Sequence, residues 1–377
     1  MPRLTRSAPP SRLPSGGLVE LVAIWLDEPF TPGRFWNAAE SSETLAETHR
    51  RLRDGGVPRA PFLAAAEREL ARAAASGTNI VAFGGEGYPA ALLTLPDPPP
   101  LLWVRGALAP LEDRVVAIVG ARKASAYGRS VARRLGSEFA ECGVVVVSGL
   151  ARGVDVEAHA GACERGGATW AVLGSGLDAI YPPEHREHAR RIARTGGAVV
   201  SEFPLSAPPL PANFPRRNRI IAGLAAAVVV VEARRRSGSL ITAEFAMDQG
   251  KEVGAVPGPA AAPESEGTHA LLRDGVVLVE RAADVLNALS APWAAEAAPR
   301  LAGRPAEPGT DRGTEAPSPE SLAVWRALGP LPRGVDDIAS ELGLEASLVR
   351  ATLVRLSLAG RAREHPGSLY GRATGSP

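Results

Sequence analysis

Short apolar runs alternate with amphipathic helical stretches over the middle of the chain. The runs are rich in Val, Ile and Leu and predict eight strands, at residues 101–104, 115–119, 144–147, 169–173, 198–201, 228–231, 253–256 and 276–279. Helical periodicity separates most of them, as at residues 127–142, 155–165, 183–194 and 240–250. Apolar strands that alternate with helices are typical of a parallel sheet covered on both faces. The pattern therefore predicts an α/β fold with a mostly parallel sheet for residues 81–290.

The first part of the chain shows helical periodicity instead. Residues 1–17 are rich in Pro, Ser and Arg and predict a disordered leader. Residues 18–80 predict an N-terminal helical domain, with amphipathic segments at 18–26, 42–52 and 62–75.

After the predicted sheet the pattern stops and then resumes. Residues 291–318 contain Ala, Pro, Gly and charged residues without periodicity and predict a linker. Residues 319–377 predict three helices and a hairpin, at 322–328, 335–342, 344–358 and 361–372. This order is typical of a winged-helix domain. Its third helix carries only Arg350 and Arg355 as basic residues, with glutamates nearby, so the sequence leaves open whether it contacts DNA or a protein.

Composition limits the classes of function. The chain has 377 residues and a formal net charge of +1, so any binding to a polyanion must come from local clusters of charge. Cys142 and Cys163 are the only cysteines and lie in apolar helical settings, which fits a reducing compartment. There is no apolar signal core, and no apolar run reaches the roughly 18 residues that a membrane span needs. We expect a cytoplasmic protein that does not associate with membranes.

Glycine and arginine recur where the predicted strands end. These stretches are Gly120-Ala121-Arg122, Ser148-Gly149-Leu150-Ala151-Arg152-Gly153-Val154-Asp155 and Glu232-Ala233-Arg234-Arg235-Arg236-Ser237-Gly238. Ligands of parallel sheets bind outside the carboxyl ends of the strands. A fourth stretch, Arg216-Arg217-Asn218-Arg219, begins a predicted helix, where unpaired N–H groups and the helix dipole also attract anions. Together they predict a polyanion along one edge of the sheet; a solvated basic face is the alternative explanation.

The individual residues suggest how such a ligand would be held. Gly120 allows close backbone approach, and the guanidinium of Arg122 suits a phosphate, although an ordinary turn with a surface arginine fits too. The turn from Ser148 to Gly153 is compatible with an anion nest, with Asp155 as a helix cap or a partner of Arg152. Phe214 is either a hydrophobic staple for the following helix or a platform on which an unpaired base stacks.

Other chemistries find less support. Gly174-Ser175-Gly176 nominally fits a dinucleotide fingerprint, but Tyr181-Pro182-Pro183 interrupts the helix that should follow. No phosphate-binding loop of the form Gly-x-x-x-x-Gly-Lys-Ser/Thr is present. His185 and His188 lack obvious further metal ligands and are expected to be solvated. We therefore expect neither a metal nor a cofactor.

Taken in order, these motifs resemble the DNA-processing protein A family (DprA, also called Smf). The resemblance covers residues 85–290 and extends to Gly176-Leu177-Asp178, Ser201-Glu202-Phe203-Pro204, Asn213-Phe214-Pro215 with Arg216 to Leu224, and Val256-Pro257-Gly258. The helical beginning and the winged-helix end also occur in the family. The chain departs from the family pattern at Phe203, where the family has Tyr, and at His269-Ala270, where it has Asn-Arg.

The resemblance implies a Rossmann-like core and a non-enzymatic mediator of natural transformation and recombination. Family members bind and protect incoming single-stranded DNA, form homodimers, and load the recombinase RecA against single-strand binding protein. Carried over to this sequence, the DNA pocket would contain Gly120, Arg122, Ser148, Gly149, Arg152, Gly153, Phe214, Arg216, Arg217, Asn218, Arg219, Ser237 and Gly238. Phosphates would lie in the glycine turns, and recognition would be largely indifferent to base order.

Two alternatives belong to other classes. A nucleotide-hydrolysing, phosphoribohydrolase-like enzyme would use Glu202 or Glu232 as general acid or base. Such an enzyme would carry a Pro-Gly-Gly-x-Gly-Thr segment, which Pro257-Gly258-Pro259 does not supply. An NAD-binding regulator is the second alternative, and the interruption at Tyr181-Pro182-Pro183 weakens it.

Overall fold

The computed structural model describes residues 12–27, 31–53, 60–108, 114–298, 319–328, 332–358, 361–365 and 369–372. The chain divides into two compact units, Met1–Ala306 and Glu307–Pro377. The predicted leader and linker lie mostly outside the described residues. Within the leader, Ser15 forms a β-bridge with Thr44.

One sheet of nine described strands forms the centre of the first unit. The strands are β1 (Thr78–Ala82), β2 (Leu101–Gly106), β3 (Val115–Val119), β4 (Val145–Ser148), β5 (Thr169–Leu173), β6 (Ala198–Ser201), β7 (Ala227–Val230), β8 (Glu252–Ala255) and β9 (Val277–Leu278). Their order is β1-β2-β6-β5-β4-β3-β7-β8-β9. Strands β3 to β9 are parallel, whereas β2 pairs antiparallel with β6 and β1 with β2. The predicted α/β fold is confirmed, and β1 is a strand that the sequence pattern did not indicate.

The chain reverses its direction of travel across the sheet at β3. It runs from β3 through β4 and β5 to β6, and then returns to the other side of β3 as β7. Val119 at the end of β3 is in register with Val230 at the end of β7, so the loops that follow these two strands emerge side by side. In doubly wound sheets, ligands bind where the strand order reverses.

Twelve described helices cover the two faces of this sheet. They are α1 (Leu18–Asp27), α2 (Pro32–Glu40), α3 (Leu45–Leu52), α4 (Ala60–Ala75), α5 (Ala126–Glu141), α6 (Val154–Glu164), α7 (Arg186–Arg194), α8 (Asn213–Leu224), α9 (Gly238–Asp248), α10 (Glu266–Arg273), α11 (Ala282–Ala288) and α12 (Pro292–Ala297). Helices α5, α6, α11 and α12 pack on one face and the others on the opposite face. Along β3, Ala117 belongs to one core and Val116 and Ile118 to the other, as the two-residue period of a strand requires.

The four N-terminal helices share their core with the sheet. The indole of Trp25 donates to the carbonyl oxygen of Glu202 at 2.7 Å, and that of Trp36 to Pro98 at 2.8 Å. The carboxylate of Glu69 accepts the backbone N–H of Leu205 at 2.7 Å. Periodicity predicted these helices as a domain of their own, because it identifies an apolar face and not the surface that this face covers.

The described part of the predicted linker begins with structure. Helix α12 starts at Pro292, and Trp293, Ala294 and Ala297 are buried against α5 and α11. The linker prediction is therefore wrong for residues 292–297. These three apolar side chains form one buried helical face, although the segment is too short to show a period.

The second unit is a winged helix, as predicted. Its elements are α13 (Pro319–Ala327), β10 (Arg333–Gly334), α14 (Val335–Leu342), α15 (Ala346–Leu358), β11 (Ala362–His365) and β12 (Leu369–Arg372). Val324, Ile338, Leu353 and Tyr370 bring the helices and the hairpin into one small core. Gly343 ends α14 with a φ of 64°, which glycine adopts without strain. Among the helices that the structure describes, none is long and apolar enough to cross a membrane.

Candidate nucleic-acid interface

A pocket of about 620 Å³ opens at the carboxyl edge of the sheet, where the strand order reverses. Two loops border it: the β3 loop, residues 120–125, and the β7 loop, residues 231–237. Residues from the first turns of α8 and α9 form its floor, and Pro209 and Pro211 form part of the opposite wall. The position agrees with the predicted ligand edge.

Phe214 forms an aromatic wall of this pocket. The guanidinium carbon of Arg122 lies 5.2 Å from the centre of its ring, and the ring of Tyr181 meets it edge-on at 5.8 Å. A Cβ atom at Gly174 would lie 3.0 Å from Phe214, so glycine at that position leaves room for the ring. Phe214 is half-buried. Part of its side chain therefore packs against the protein, and part remains exposed at the pocket.

Arg217 lines the pocket but is almost fully buried. Its guanidinium donates to the carbonyl oxygens of Val172 and Gly149, the latter at 2.9 Å. A Cβ atom at Gly149 would overlap this guanidinium, which explains the glycine. Burial lowers the pKa of Arg217 to about 10, so the side chain still carries its charge at neutral pH. It lines the pocket as a buried positive charge held by backbone carbonyls.

Arg219 is also internal. Its side chain is 3% exposed and pairs with Asp97 at 2.9 Å and with Glu202 at 2.8 Å. Arg216 donates to Glu202 at 3.3 Å and lies over the ring of Phe203 at 5.1 Å. In this structure both arginines link α8 to buried carboxylates, so their predicted contact with phosphate stays a prediction without support from the geometry.

The turn from Ser148 to Gly153 already holds an anion, and that anion belongs to the chain. The carboxylate of Asp155 accepts the backbone N–H groups of Gly149 at 3.1 Å and Ala151 at 3.3 Å. Burial raises the pKa of Asp155, while Arg217 and these N–H groups oppose the rise. The hydroxyl of Ser148 is fully buried and donates to the carbonyl of Ile118 at 2.6 Å. The predicted nest exists, but Ser148 and Gly149 do not present it to an external ligand.

The remaining predicted residues fall into two groups. Gly120 lines the pocket, and a Cβ atom there would lie 2.6 Å from Val154, so a larger residue would disturb the packing. Arg152 is exposed and pairs with Glu184 at 2.6 Å, and Gly153 has a φ of 77° in the turn before α6. These last two do not line the pocket.

Asn218 connects the two helix starts at the floor of the pocket. Its amide nitrogen donates to the carbonyl of Gly238 at 3.1 Å, and its amide oxygen accepts from Arg217 at 3.3 Å. Ser237 caps α9 by accepting the N–H of Ser239 at 3.4 Å. Asn218, Ser237 and Gly238, three of the predicted site residues, all line the pocket.

The exposed cations lie on the two loops. Arg122, Lys123, Arg235 and Arg236 are exposed, and in the described part of the chain no ion pair engages them. Arg234 is exposed too and pairs with Glu264 at 2.5 Å. Lys123, Tyr181 and the three arginines of the β7 loop were not predicted as site residues. The position of that triplet at a strand end was the signal that could have included it.

The residues considered for other chemistries lie elsewhere. Glu202 is fully buried among its arginines, and Glu232 is 4% exposed; neither lines the pocket. His185 is buried and its Nδ1 bonds to the carbonyl oxygen of Leu150 at 2.8 Å, so the expectation of a solvated side chain is wrong for it. Among the described residues, no group of three His, Cys, Asp or Glu side chains is placed to hold a metal ion.

A doubly wound sheet with a basic, aromatic-lined pocket at its carboxyl edge defines a class of proteins that bind phosphate-containing ligands. The family model described as DNA recombination-mediator protein A matches residues 79–290, and that of the DprA winged helix domain matches residues 307–368. The chain belongs to the DNA recombination-mediator protein A family.

Individual relatives agree with this assignment. Protein Smf of Escherichia coli K12 is 41% identical over 291 residues, which cover 77% of this chain and 76% of Smf. The X-ray structure of DNA processing protein A from Streptococcus pneumoniae superposes with a TM-score of 0.56 at 33% identity, over 71% of this chain and 92% of that one. The Helicobacter pylori protein, whose structure is described in terms of its single-stranded DNA binding mode, superposes at 0.51 and 30% identity, over 56% and 94%.

Proposed function

We propose that this protein is a single-stranded DNA-binding recombination mediator that acts in the cytoplasm during natural transformation. The observation that carries the proposal is the arrangement around Phe214: a half-buried aromatic ring in a pocket, bordered by exposed cations on two adjacent loops. Family membership and the single-strand binding described for the Helicobacter pylori relative support it.

The pocket explains why a single strand would be preferred. An unpaired base can leave its neighbours and stack on Phe214, whereas the bases of a duplex are already stacked and paired. Phosphates on either side of that base would contact Arg122 and Lys123 on the β3 loop and Arg235 and Arg236 on the β7 loop. Arg217 adds a buried positive charge to the lining of the pocket. Stacking and phosphate contacts carry little information on base order, so binding would be largely independent of sequence.

The structure changes which of the carried-over residues are proposed to touch DNA. Gly120, Arg122, Phe214, Ser237 and Gly238 remain as direct contacts, joined by Lys123, Tyr181, Arg235 and Arg236. Arg216, Arg217, Asn218 and Arg219 hold α8 and the pocket in place. Ser148, Gly149 and Gly153 shape the neighbouring turn, and Arg152 lies outside the pocket.

The finer parts of the proposal come from the family. We include protection of incoming DNA, homodimer formation and loading of RecA onto strands covered by single-strand binding protein, without enzymatic turnover. The test measures RecA filament nucleation on such strands. This protein should shorten the lag, and a lag unchanged at saturating protein would contradict the loading role while leaving DNA binding intact.

The direct test is fluorescence anisotropy with single- and double-stranded oligonucleotides over a range of salt concentrations. The intact protein is compared with residues 1–306, which keep α12 and therefore the complete core of the first unit. Strong, salt-sensitive preference for single strands in both proteins supports the pocket. Binding that disappears on truncation would assign DNA binding to the winged helix.

Failure to bind by either protein would direct attention to the alternative. Release of base or phosphate from nucleoside monophosphates would then identify a hydrolase. Stabilisation by a dinucleotide without turnover would identify a nucleotide-binding regulator.

A further inference from the structure

The β3 loop and the β7 loop are two adjacent segments of like charge. Arg122 and Lys123 lie on the first, and Arg234, Arg235 and Arg236 on the second. The register of β3 with β7 makes the loops neighbours. Positive charges on adjacent loops repel each other, and in the absence of DNA this repulsion favours moving the loops apart.

Glu232 connects the two loops. It is the second residue after β7, and its carboxylate accepts both the backbone N–H of Ser125 at 2.9 Å and the hydroxyl of Ser125 at 2.5 Å. Ser125 ends the β3 loop and caps α5, since its hydroxyl also accepts the N–H of Gly128 at 3.0 Å. One buried carboxylate of the β7 loop thereby fixes the end of the β3 loop.

The surroundings of Glu232 are shaped for this contact. A Cβ atom at Gly128 would overlap the carboxylate, so only glycine lets it reach the first turn of α5. Helix α5 is 16 residues long, and a negative charge at its N-terminus is stabilised by the unpaired N–H groups and the helix dipole. Glu232 does not line the pocket, so its carboxylate does not meet the ligand.

The geometry points to Glu232 as a positioning residue for single-strand binding, an inference that rests on the proposed function. It holds the β3 loop beside the β7 loop, so that Arg122 stays over Phe214 while the cations of both loops face one strand. In this role a negative charge increases the affinity of the protein for a negatively charged ligand, which is opposite to its direct electrostatic effect.

The test compares two carboxylates of the β7 region in the full chain. Glu232→Ala removes the bridge, whereas Glu264→Ala removes a carboxylate that lines the pocket and pairs only with Arg234 among the described residues. Both variants remove one negative charge. We expect Glu232→Ala to weaken single-strand binding by about tenfold and to flatten the salt dependence by about 0.7 log unit for each phosphate that the protein no longer binds. Glu264→Ala should tighten binding.

Two further variants separate positioning from a general loss of stability. Glu232→Gln keeps the shape and an acceptor for the N–H of Ser125, and should recover most of the affinity. In a protein that already carries Arg122→Ala and Lys123→Ala, Glu232→Ala should add little further loss, because it acts through those side chains. All titrations are made at a temperature where melting curves show each variant folded.

The outcomes are distinct. Tighter binding by Glu232→Ala, as by Glu264→Ala, would mean that only charge matters and would overturn the inference. An equal loss with and without the loop cations would also overturn it, since Glu232 would then act on the whole fold. No binding by the unaltered protein would instead contradict the proposed function.

Discussion

The arginines of α8 and those of the strand-end loops look alike in the sequence but have opposite environments. Arg217 and Arg219 are buried and bound by carbonyl oxygens or carboxylates of the protein. Arg122 and Arg235 are exposed on loops beside the pocket. The difference means that a dense basic cluster in a sequence predicts a ligand surface only where the backbone keeps the side chains in solvent.

Burial changes what such a charge contributes. A guanidinium removed from water needs partners within the protein, and removing it leaves those partners uncompensated. Removing an exposed guanidinium changes the stability of the fold little, but it removes the attraction for an external anion. Substitutions in α8 should therefore act on folding, and those in the loops on binding.

The largest expected effect is at Arg219. Arg219→Ala leaves Asp97 and Glu202 buried without their shared partner and should lower the free energy of unfolding by about 3–5 kcal/mol. Urea denaturation measures this. Arg235→Ala is the control and should change stability by less than about 0.5 kcal/mol. Unchanged stability of Arg219→Ala together with weaker DNA binding would restore Arg219 to the DNA surface.

The second effect is on single-strand binding, and the free energy of unfolding should not change. Arg122→Ala with Lys123→Ala removes two proposed phosphate contacts, so the salt dependence of single-strand binding should fall by about 1.4 log units, at about 0.7 for each phosphate. The control is Arg190→Ala with Arg194→Ala, which makes the same change in net charge on α7, where the side chains are 65% and 70% exposed. An equal change in both pairs would show that net charge alone governs binding.

The third effect concerns the stacking of a base on Phe214, in contrast to the phosphate contacts of the loops. Phe214→Ala should reduce affinity for single strands by about 1–3 kcal/mol and leave the salt dependence nearly intact, because stacking releases no counterions. Phe214→Trp keeps an aromatic surface and should retain binding. If Phe214→Ala lowers the free energy of unfolding as much as it lowers affinity, the ring serves α8 as a staple.

The last prediction concerns a buried group without charge, and it has no effect at neutral pH. Burial lowers the pKa of His159 from 6.5 to about 3. The unfolded chain therefore binds a proton that the folded chain does not, and stability is lost as the pH falls from 6.5 toward 3. Replacing His159 by Gln should make this decline shallower without altering single-strand affinity at neutral pH. Parallel declines in the two proteins would assign the acid sensitivity to other groups.

The sheet and the position of the pocket at its carboxyl edge could be predicted from the sequence because both depend on local patterns. Apolar runs of strand length and glycine at their ends specify parallel strands and the turns that follow. Strand β1 was missed because it forms an antiparallel edge, and its burial depends on α4 and β2. The winged helix was predicted for the same local reasons, from periodicity and from the glycine that ends α14.

The internal role of the α8 arginines could not be predicted, because it depends on partners that are distant in the sequence. Asp97 lies 122 positions from Arg219, and nothing in the intervening pattern indicates that they meet. Asp155 was considered as a cap or as a partner of Arg152; the structure shows it bound instead to the N–H groups of Gly149 and Ala151. A short-range motif can specify an anion site without specifying which anion fills it.

The hydrogen bond between Trp25 and Glu202 has a consequence for folding during translation. These residues are 177 positions apart. A ribosome adds about 5–20 residues per second, so about 9–35 s pass between the synthesis of Trp25 and that of its partner. During that interval the sheet that α1 to α4 cover is incomplete, and the nascent chain exposes part of their apolar faces. The first 80 residues are therefore the part of this protein where chaperones that bind during translation should have their greatest effect on yield.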